Sequence, residues 1–580
     1  MQGKEQNNTA KAIDQPSGLA NVHDESANDP MGSINPQVLE EHFQEVAFMS
    51  RSRESEEAKT TRSNHPMKMI NHLLCHRGSN KSKLEDKKSS TPAKMVNIQP
   101  EGGGNEEPLL PMKEIPGSYG IPFLSPIRDR LNFYYFQGQD DFFKSRIQQY
   151  DSTVFRVNMP PGPFMARNSQ VIAVLDAKSF PVLFDVSKVE KRDILTGTYM
   201  PSTSLTGGYR VCSYLDPSEP THAKIKQLLL TLIASRKSYV IPSFRSFYAS
   251  LFQTMESELA ASTGAKSDFN KLNDTTAFDF LGDVHFGIRP SSTSLGTEGP
   301  SKANKWLFFQ LCPLLTLGLP KILEELFLHT FPLPSFLAKS DYKDLYGYFS
   351  SAAASVLDTA EKLGLSREEA CHNLLFTTIF NSYGGAKVLF PGILKCLALA
   401  HPRLHSRLAE EIRSVVKAEG GKVTLAAIEK MELTKSVVYE ALRMDPPVKF
   451  QYGKAKHDLV IESHDARYKV SKGEMIFGYQ PLATQDTKVF ENGGEFVGDR
   501  FVGNEGKKLL KHVLWSNGHE TESPTVRNKQ CAGKDFVILV GRLLVVEFFL
   551  RYDTFTAEVG TIMFGSQVTV TSLTKASSSG

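Results

Sequence analysis

The sequence predicts a mainly α-helical fold with a minor β portion. Across residues 221–443, apolar residues recur mostly at helical spacing, and Pro and Gly clusters such as residues 332–334 interrupt them. Short alternating segments predict strands at residues 153–157, 171–175 and 567–573. No internal repeat is present. This pattern fits one large domain better than two small ones.

The elements follow in a simple order along this domain. A Pro-rich entry leads to a helical pattern at residues 129–150, and the first two strands come next. The long helical section is followed, near the end, by an apolar helix at residues 532–551. Residues 1–108 are polar, mixed in charge and poor in apolar positions, so we expect a disordered N-terminal extension before the folded domain, residues 109–580.

Composition excludes several classes of protein. The chain has 67 basic and 64 acidic residues, and the basic residues are scattered, so the sequence predicts no nucleic-acid partner. Six cysteines stand singly without a CxxC pair, which indicates a reduced intracellular compartment rather than a disulfide framework or a zinc site. No uninterrupted apolar run reaches the ~18 residues that a membrane span needs.

One cysteine is placed for chemistry. Cys531 lies directly before the apolar helix at residues 532–551, and Trp515 to Gly518 precede it in the chain. Free amides at a helix N-terminus favour a thiolate. Such a thiolate can ligate a haem iron.

The stretch from Trp515 to Gly533 resembles the haem-binding signature of the cytochrome P-450 superfamily, F-x-x-G-x-R-x-C-x-G, with Trp515 in place of the Phe. Its spacing from glycine to cysteine is nine residues longer, through an insertion at residues 519–527. That insertion is typical of the plant branch that consumes fatty-acid hydroperoxides, namely allene oxide synthases, hydroperoxide lyases and divinyl ether synthases. The resemblance implies a cytochrome P-450-like haem-thiolate fold with haem b and Cys531 as the axial iron ligand.

A second match lies between the helical section and the cysteine. Glu440 and Arg443 are three residues apart on a predicted helix that ends before Pro446, so their side chains can meet. With Arg500, in the segment 496–501, they resemble the superfamily's buried Glu-Arg-Arg network. The resemblance implies a structural role in locking the loop beneath the haem.

The helix expected above the haem differs from that of a monooxygenase. Residues 380–387 contain no acid followed by Thr, the pair that delivers protons to bound dioxygen. A protein that receives a preformed peroxide needs only a donor that holds the peroxide over the iron. In the hydroperoxide-consuming branch, an Asn at the position of Asn381 hydrogen-bonds the substrate, and Lys387 matches a lysine placed at the substrate carboxylate.

The loop at residues 191–217 is rich in turn-forming residues and is expected to cover the same face. By resemblance, Ser213 and Asn381 together polarise the peroxide. His222 and Lys226 replace the usual W-x-x-x-R at the haem propionates. With Lys191 and Lys529, they would supply positive charge for two carboxylates.

Leu195 leaves the product open. Its position is typically Phe in allene oxide synthases, where the ring favours oxidation of a substrate radical, and Leu in hydroperoxide lyases. The segments 198–203, 380–385 and 520–526 resemble allene oxide synthases more closely. The resemblance therefore favours a hydroperoxide dehydratase of oxylipin or jasmonate-type biosynthesis, with hydroperoxide lyase or divinyl ether synthase as the alternative. A monooxygenase and a non-enzymatic haem protein are the remaining classes.

The resemblance also predicts partners and location. The substrate is a lipid hydroperoxide, no dioxygen or reductase is required, and peripheral association with membranes is compatible with a fatty-acid channel. The expected location is the plastid, with the cytoplasm as the alternative. The first sixty residues carry acids that a transit peptide avoids, whereas residues 67–94 resemble such a targeting segment or, equally, a basic linker.

Overall fold

The computed structural model describes residues 109–562 and 565–577, and within them helices predominate. The predicted N-terminal extension, with its segment at residues 67–94, lies outside the described residues. The α-helices are α1 (Leu124–Leu131), α2 (Gln139–Tyr150), α3 (Pro220–Arg236), α4 (Val240–Ala260), α5 (Phe269–Phe286), α6 (Gly299–Leu311), α7 (Lys321–Glu324), α8 (Lys339–Ala352), α9 (Ala354–Lys362), α10 (Arg367–Phe376), α11 (Gly384–Leu399), α12 (Pro402–Ala418), α13 (Leu425–Glu429), α14 (Glu432–Met444), α15 (Gln480–Thr484), α16 (Gly503–Leu509) and α17 (Lys534–Arg551). π-Helical segments span Asn132–Phe136, Glu325–Thr330 and Thr377–Tyr383. Short 3₁₀ segments span Phe180–Phe184, Thr203–Thr206, Cys212–Tyr214, Lys237–Tyr239, Pro290–Ser292, Gly296–Glu298, Cys312–Leu314, Ser335–Ala338 and Leu510–His512.

The strands form small sheets beside the helices. They are β1 (Met112–Lys113), β2 (Val154–Asn158), β3 (Gln170–Val174), β4 (Val189–Glu190), β5 (Ser267–Asp268), β6 (Phe450–Ala455), β7 (Leu459–Glu462), β8 (Arg467–Val470), β9 (Met475–Tyr479), β10 (Leu514–Trp515), β11 (Gly518–His519), β12 (Tyr552–Ile562) and β13 (Gly565–Lys575). The largest sheet has the order β2-β3-β9-β6-β4, and the others are β1-β8-β7, β12-β13-β5 and the hairpin β10-β11. The strands β3 and β9 run parallel, whereas β6 and β9 are antiparallel.

Two buried helices position the site. The helix α10, the π-helical segment Thr377–Tyr383 and α11 follow one another directly, and we call them the distal helix. The helix α17 is apolar on nearly all sides, and all of its residues from Ile538 to Phe549 are buried, as expected of a helix inside a core. It packs closely on α14, because a Cβ at Gly541 would lie 3.0 Å from Val438 Cγ1. The helix α17 begins at Lys534, three residues after Cys531.

The predicted fold class is confirmed, and the main differences concern boundaries. The predicted strands at 153–157 and 171–175 shift by one residue. The helical pattern at 129–150 begins earlier and is divided between α1, a π-helical segment and α2, because Gly138 adopts a φ of 78° before α2. The strands β6 to β9 and β12 were not predicted.

The predicted Glu-Arg-Arg network is present and buried. The Glu440 carboxylate accepts hydrogen bonds from Arg443 Nε at 2.7 Å and from Arg500 Nε at 2.9 Å. Arg443 also donates to the carbonyls of Thr484 and Gly493, at 3.0 and 2.6 Å. The network therefore fastens residues 484–500, which precede the loop that carries Cys531, onto α14.

Among the described residues, no single helix is long and apolar enough to cross a membrane. The segments Arg367–Leu399 and Pro402–Ala418 meet the length and composition test only as a pair, across a bend of 118°.

Candidate active site

A cavity opens between the distal helix, the loop at residues 191–217 and the haem loop at residues 514–533. The structure brings eight of the nine predicted site residues to its wall. They are Lys191, Leu195, Ser213, His222, Lys226, Asn381, Lys529 and Cys531. These residues come from distant parts of the chain, and the fold brings them together around one cavity.

Cys531 forms part of the wall as a free thiol. Its backbone N–H donates to the Ser516 carbonyl at 3.1 Å, which ties it to the β10-β11 hairpin. Burial raises the pKa of the Cys531 thiol, and the Gly533 N–H and the Lys226 charge lower it by less. An amide at this helix end thus favours the thiolate, as expected, but burial of the thiol outweighs it. A metal ion deprotonates a coordinating thiol outright, so this residue still suits an iron ligand.

Three lysines point buried or half-buried ammonium groups at backbone carbonyls. Lys191 Nζ donates to Tyr452 O at 2.5 Å, and Lys226 Nζ donates to Gln530 O. Lys529 Nζ donates to Cys212 O at 2.7 Å and to Leu215 O at 2.5 Å. None of these lysines has a carboxylate partner in residues 109–562 and 565–577. Buried charges are ordinarily paired, so this cluster of cations suits an anionic ligand.

The acid–base properties of this cluster agree with that interpretation. Burial lowers the pKa of Lys191 to about 7 and that of Lys529 to about 8. His222 is fully buried, and neither of its ring nitrogens has a hydrogen bond of normal geometry to another described residue. Burial lowers its pKa to about 4. Two carboxylates would offset this cost of desolvation. The residues present therefore fit the two propionates of a haem above Cys531.

Two further polar side chains, those of Asn381 and Ser213, line the cavity. Asn381 lies in the π-helical segment of the distal helix, and Ser213 lies in the 3₁₀ turn Cys212–Tyr214. Within the described part of the chain, neither side chain has a hydrogen-bond partner. Apolar residues such as Leu195 and Phe380 line the same cavity. Both polar groups are thus available to a ligand in a largely apolar chamber, and π-helical segments often occur at functional sites.

Lys387 is the site residue that the structure places elsewhere. Its Nζ lies 2.7 Å from Asp274 Oδ1 and donates to Asn304 Oδ1 at 2.7 Å. It is absent from the cavity wall. The helices α5 and α6 thus supply the partners of its charge, and the contact of Lys387 with the substrate carboxylate stays a prediction.

Sequence reasoning missed a pair of buried amides behind the haem loop. Gln451 Nε2 donates to Trp515 O at 3.0 Å, and Gln480 Nε2 donates to Leu514 O at 2.8 Å. The two side chains also bond each other at 2.6 Å. They fix the hairpin that precedes Cys531, and no local pattern marks them. In the hairpin itself, Gly518 is the residue that indicates close packing, because a Cβ there would lie 2.7 Å from the Gln530 side chain.

Comparisons with known proteins agree with this geometry. Residues 393–520 match the family model described as Cytochrome P450. The chain is 66% identical to Allene oxide synthase 2 of Oryza sativa subsp. japonica, over 81% of this chain and 98% of that protein. It is 60% identical to Allene oxide synthase 1, chloroplastic, of Solanum lycopersicum, over 81% of this chain and 87% of the relative. The chloroplastic Allene oxide synthase of Arabidopsis thaliana is 59% identical, over 81% and 90% of the two chains.

The chain belongs to the allene oxide synthase family. Its place in the cytochrome P450 superfamily brings a haem-iron cofactor, for which the cations and Cys531 described above form a fitting site. These identities favour allene oxide synthesis over the lyase and divinyl ether alternatives, even though Leu195 lines the cavity.

Proposed function

We propose that this chain dehydrates polyunsaturated fatty-acid hydroperoxides to allene oxides in oxylipin or jasmonate-type biosynthesis. The observation that carries the proposal is the pairing, in one cavity, of Cys531 with the unengaged side chains of Asn381 and Ser213. We propose haem b as the cofactor and the Cys531 sulfur as its axial ligand. Lys191, His222, Lys226 and Lys529 would hold the propionates.

The haem iron, when bound, supplies cleavage of the peroxide oxygen–oxygen bond, which a thiolate ligand favours. The chain's own residues orient the substrate. The Asn381 amide donates a hydrogen bond to the hydroperoxide, and the Ser213 hydroxyl holds it from the opposite side. Orientation of this kind contributes most in the bond-breaking step.

The overall reaction balances without a further reactant. The outer peroxide oxygen leaves as water, the inner oxygen closes on the neighbouring double bond, and a proton is lost from carbon. No net electrons enter or leave. The absence of an acid–Thr pair in residues 380–387 agrees with a reaction that needs neither dioxygen nor a reductase.

We also propose peripheral membrane association. Four exposed phenylalanines come from two neighbouring segments: Phe123, Phe136, Phe327 and Phe331. The segments are joined because Arg130 Nε donates to Glu325 Oε2 at 2.9 Å. Exposed apolar surface marks interaction sites, and a hydrophobic substrate would enter from a lipid phase.

The proposed location is the plastid. Relatives from Solanum lycopersicum and Arabidopsis thaliana are named chloroplastic. Residues 1–108 would form an extension before the catalytic domain, residues 109–580, with residues 67–94 as the targeting segment.

Two variants test the proposed roles. Asn381→Leu should slow hydroperoxide consumption strongly and leave haem content unchanged, because the amide orients substrate and does not hold the cofactor. Cys531→Ser should remove the thiolate-type band of the carbon monoxide complex together with turnover. If Asn381→Leu lost haem to the same extent as it lost turnover, Asn381 would have a structural role. If Cys531→Ser retained the thiolate-type band, the axial ligand would be another residue.

A further inference from the structure

The turn that carries Ser213 is fastened to the distal helix by one buried side chain. Asn373 Oδ1 accepts a hydrogen bond from the Cys212 backbone N–H at 2.8 Å. Asn373 is 1% exposed, and its Nδ2 donates to the Glu369 carbonyl one turn earlier at 3.0 Å. Because both ends of the amide are engaged, its orientation is fixed. The position of the turn relative to the distal helix is therefore fixed as well.

The same helix carries Asn381, eight residues after Asn373. Between them, the ring of Phe376 meets the ring of Tyr214 edge-on, with centroids 5.6 Å apart. The turn and α10 thus meet at a polar contact and an aromatic contact, and α10 continues directly into the π-helical segment. Asn373 links the element that presents Ser213 to the element that presents Asn381.

We propose that Asn373 is a positioning residue that sets Ser213 at the correct distance and angle from Asn381 for binding the hydroperoxide group. This inference rests on the proposed function, in which both side chains contact the substrate. Asn373 touches no substrate itself and acts through the turn Cys212–Tyr214.

Other contacts keep the turn folded without fixing it to the distal helix. Lys529 Nζ donates to Ser213 O at 3.2 Å, and Arg210 Nη2 donates to Tyr214 O at 3.0 Å. Removal of the Asn373 amide would leave the Cys212 N–H without its acceptor, and the turn would shift to find another. Ser213 would remain in the cavity but out of alignment.

A double-mutant cycle tests this proposal on the full-length holoenzyme. Asn373→Leu should lower kcat/KM for linolenic acid hydroperoxide about tenfold or more, with haem content and the spectral response to linolenic acid unchanged. In a Ser213→Ala background, Asn373→Leu should cause little further loss, because the two residues act as one unit. Asn373→Asp keeps an acceptor for the Cys212 N–H and should recover part of the activity.

The matched control is Asn158→Leu. Asn158 is also 1% exposed, and its Nδ2 donates to Asp129 Oδ2 at 2.9 Å, away from the distal helix and the Ser213 turn. The loss of kcat/KM in this control variant should add to the loss caused by Ser213→Ala. Additive losses for Asn373→Leu and Ser213→Ala would overturn the role of Asn373. Full activity of Ser213→Ala alone would instead overturn the proposed role of Ser213. If Asn373→Leu does not load haem, Asn373→Ala takes its place in the same cycle.

Discussion

Arg443 Nε lies 2.7 Å from Glu440 Oε2, and neither side chain is exposed to solvent. Removal of one partner from a buried ion pair leaves the other charge uncompensated, which costs about 3–5 kcal/mol. We therefore predict that Arg443→Met lowers the free energy of unfolding by about that amount. Chemical denaturation of the purified protein measures it.

The control for this prediction is Arg407→Met. Arg407 Nη1 lies 2.8 Å from Asp499 Oδ2 in a pair whose side chains are 45% and 43% exposed. Exposed pairs contribute about 0–1 kcal/mol. Equal destabilisation by both variants would contradict the structural role of the buried network.

The haem-holding role of Lys191 predicts weaker cofactor binding after its charge is removed. A charged hydrogen bond contributes about 1.5–3 kcal/mol, so Lys191→Met should lower haem affinity by about 10- to 100-fold. Haem transfer to an excess of a competing apoprotein measures this affinity. Lys188→Met is the control, since Lys188 is exposed and pairs with Asp185 at 3.2 Å.

The Lys191 prediction also has a pH dependence. Burial lowers the pKa of Lys191 to about 7, and pairing with a propionate raises it again. Haem binding must then take up a proton at this lysine above pH 7. The ratio of haem affinities, wild type to Lys191→Met, should fall as the pH rises through and above 7. A ratio that is constant between pH 6 and 9 would remove Lys191 from the propionate site.

Leu195 lies in the cavity wall. By resemblance, its position is the one where allene oxide synthases typically carry a Phe beside the substrate radical. We predict that the native chain forms mainly allene oxide with a minor aldehyde fraction. Leu195→Phe should reduce the aldehyde fraction and leave total peroxide consumption almost unchanged, because bond cleavage precedes the branch point. Product analysis by chromatography measures the ratio. If the ratio does not respond to this change, other cavity residues control the product.

The exposed phenylalanines predict a membrane-facing surface. Phe327→Asp combined with Phe331→Asp should reduce co-sedimentation with liposomes of plastid lipid composition several-fold and leave turnover of soluble substrate unchanged. Leu399→Asp is the control, because Leu399 is 67% exposed outside this surface. Equal binding by all three proteins would contradict the assignment.

Much of the site could be predicted because its signals are short and local. Cys531, Glu440 and Arg443 lie in short motifs whose residue spacing can be recognised in a single sequence. Lys387 could not be placed, because its partners Asp274 and Asn304 lie on other helices and nothing near Lys387 indicates them. Gln451 and Asn373 were not predicted either, because their partners Trp515 and Cys212 are also distant in sequence.

The missed strands have a physical explanation. All five residues of β9, Met475–Tyr479, are buried, so the strand lacks the alternation that marks a half-buried one. The strand β12 begins directly at Tyr552, where α17 ends, with no intervening turn residues to indicate a boundary. Helical content was easier to predict because the amphipathic helices carry their own periodicity.

The central claim is that the chain converts a hydroperoxide to an allene oxide without an added oxidant or reductant. The most direct measurement incubates the purified holoenzyme with linolenic acid hydroperoxide in anaerobic buffer without NADPH, then separates ketols from short-chain aldehydes. We predict full-rate consumption and ketols, the hydrolysis products of an allene oxide, as the main products. Dependence on dioxygen or NADPH, or aldehydes as the main products, would contradict the account.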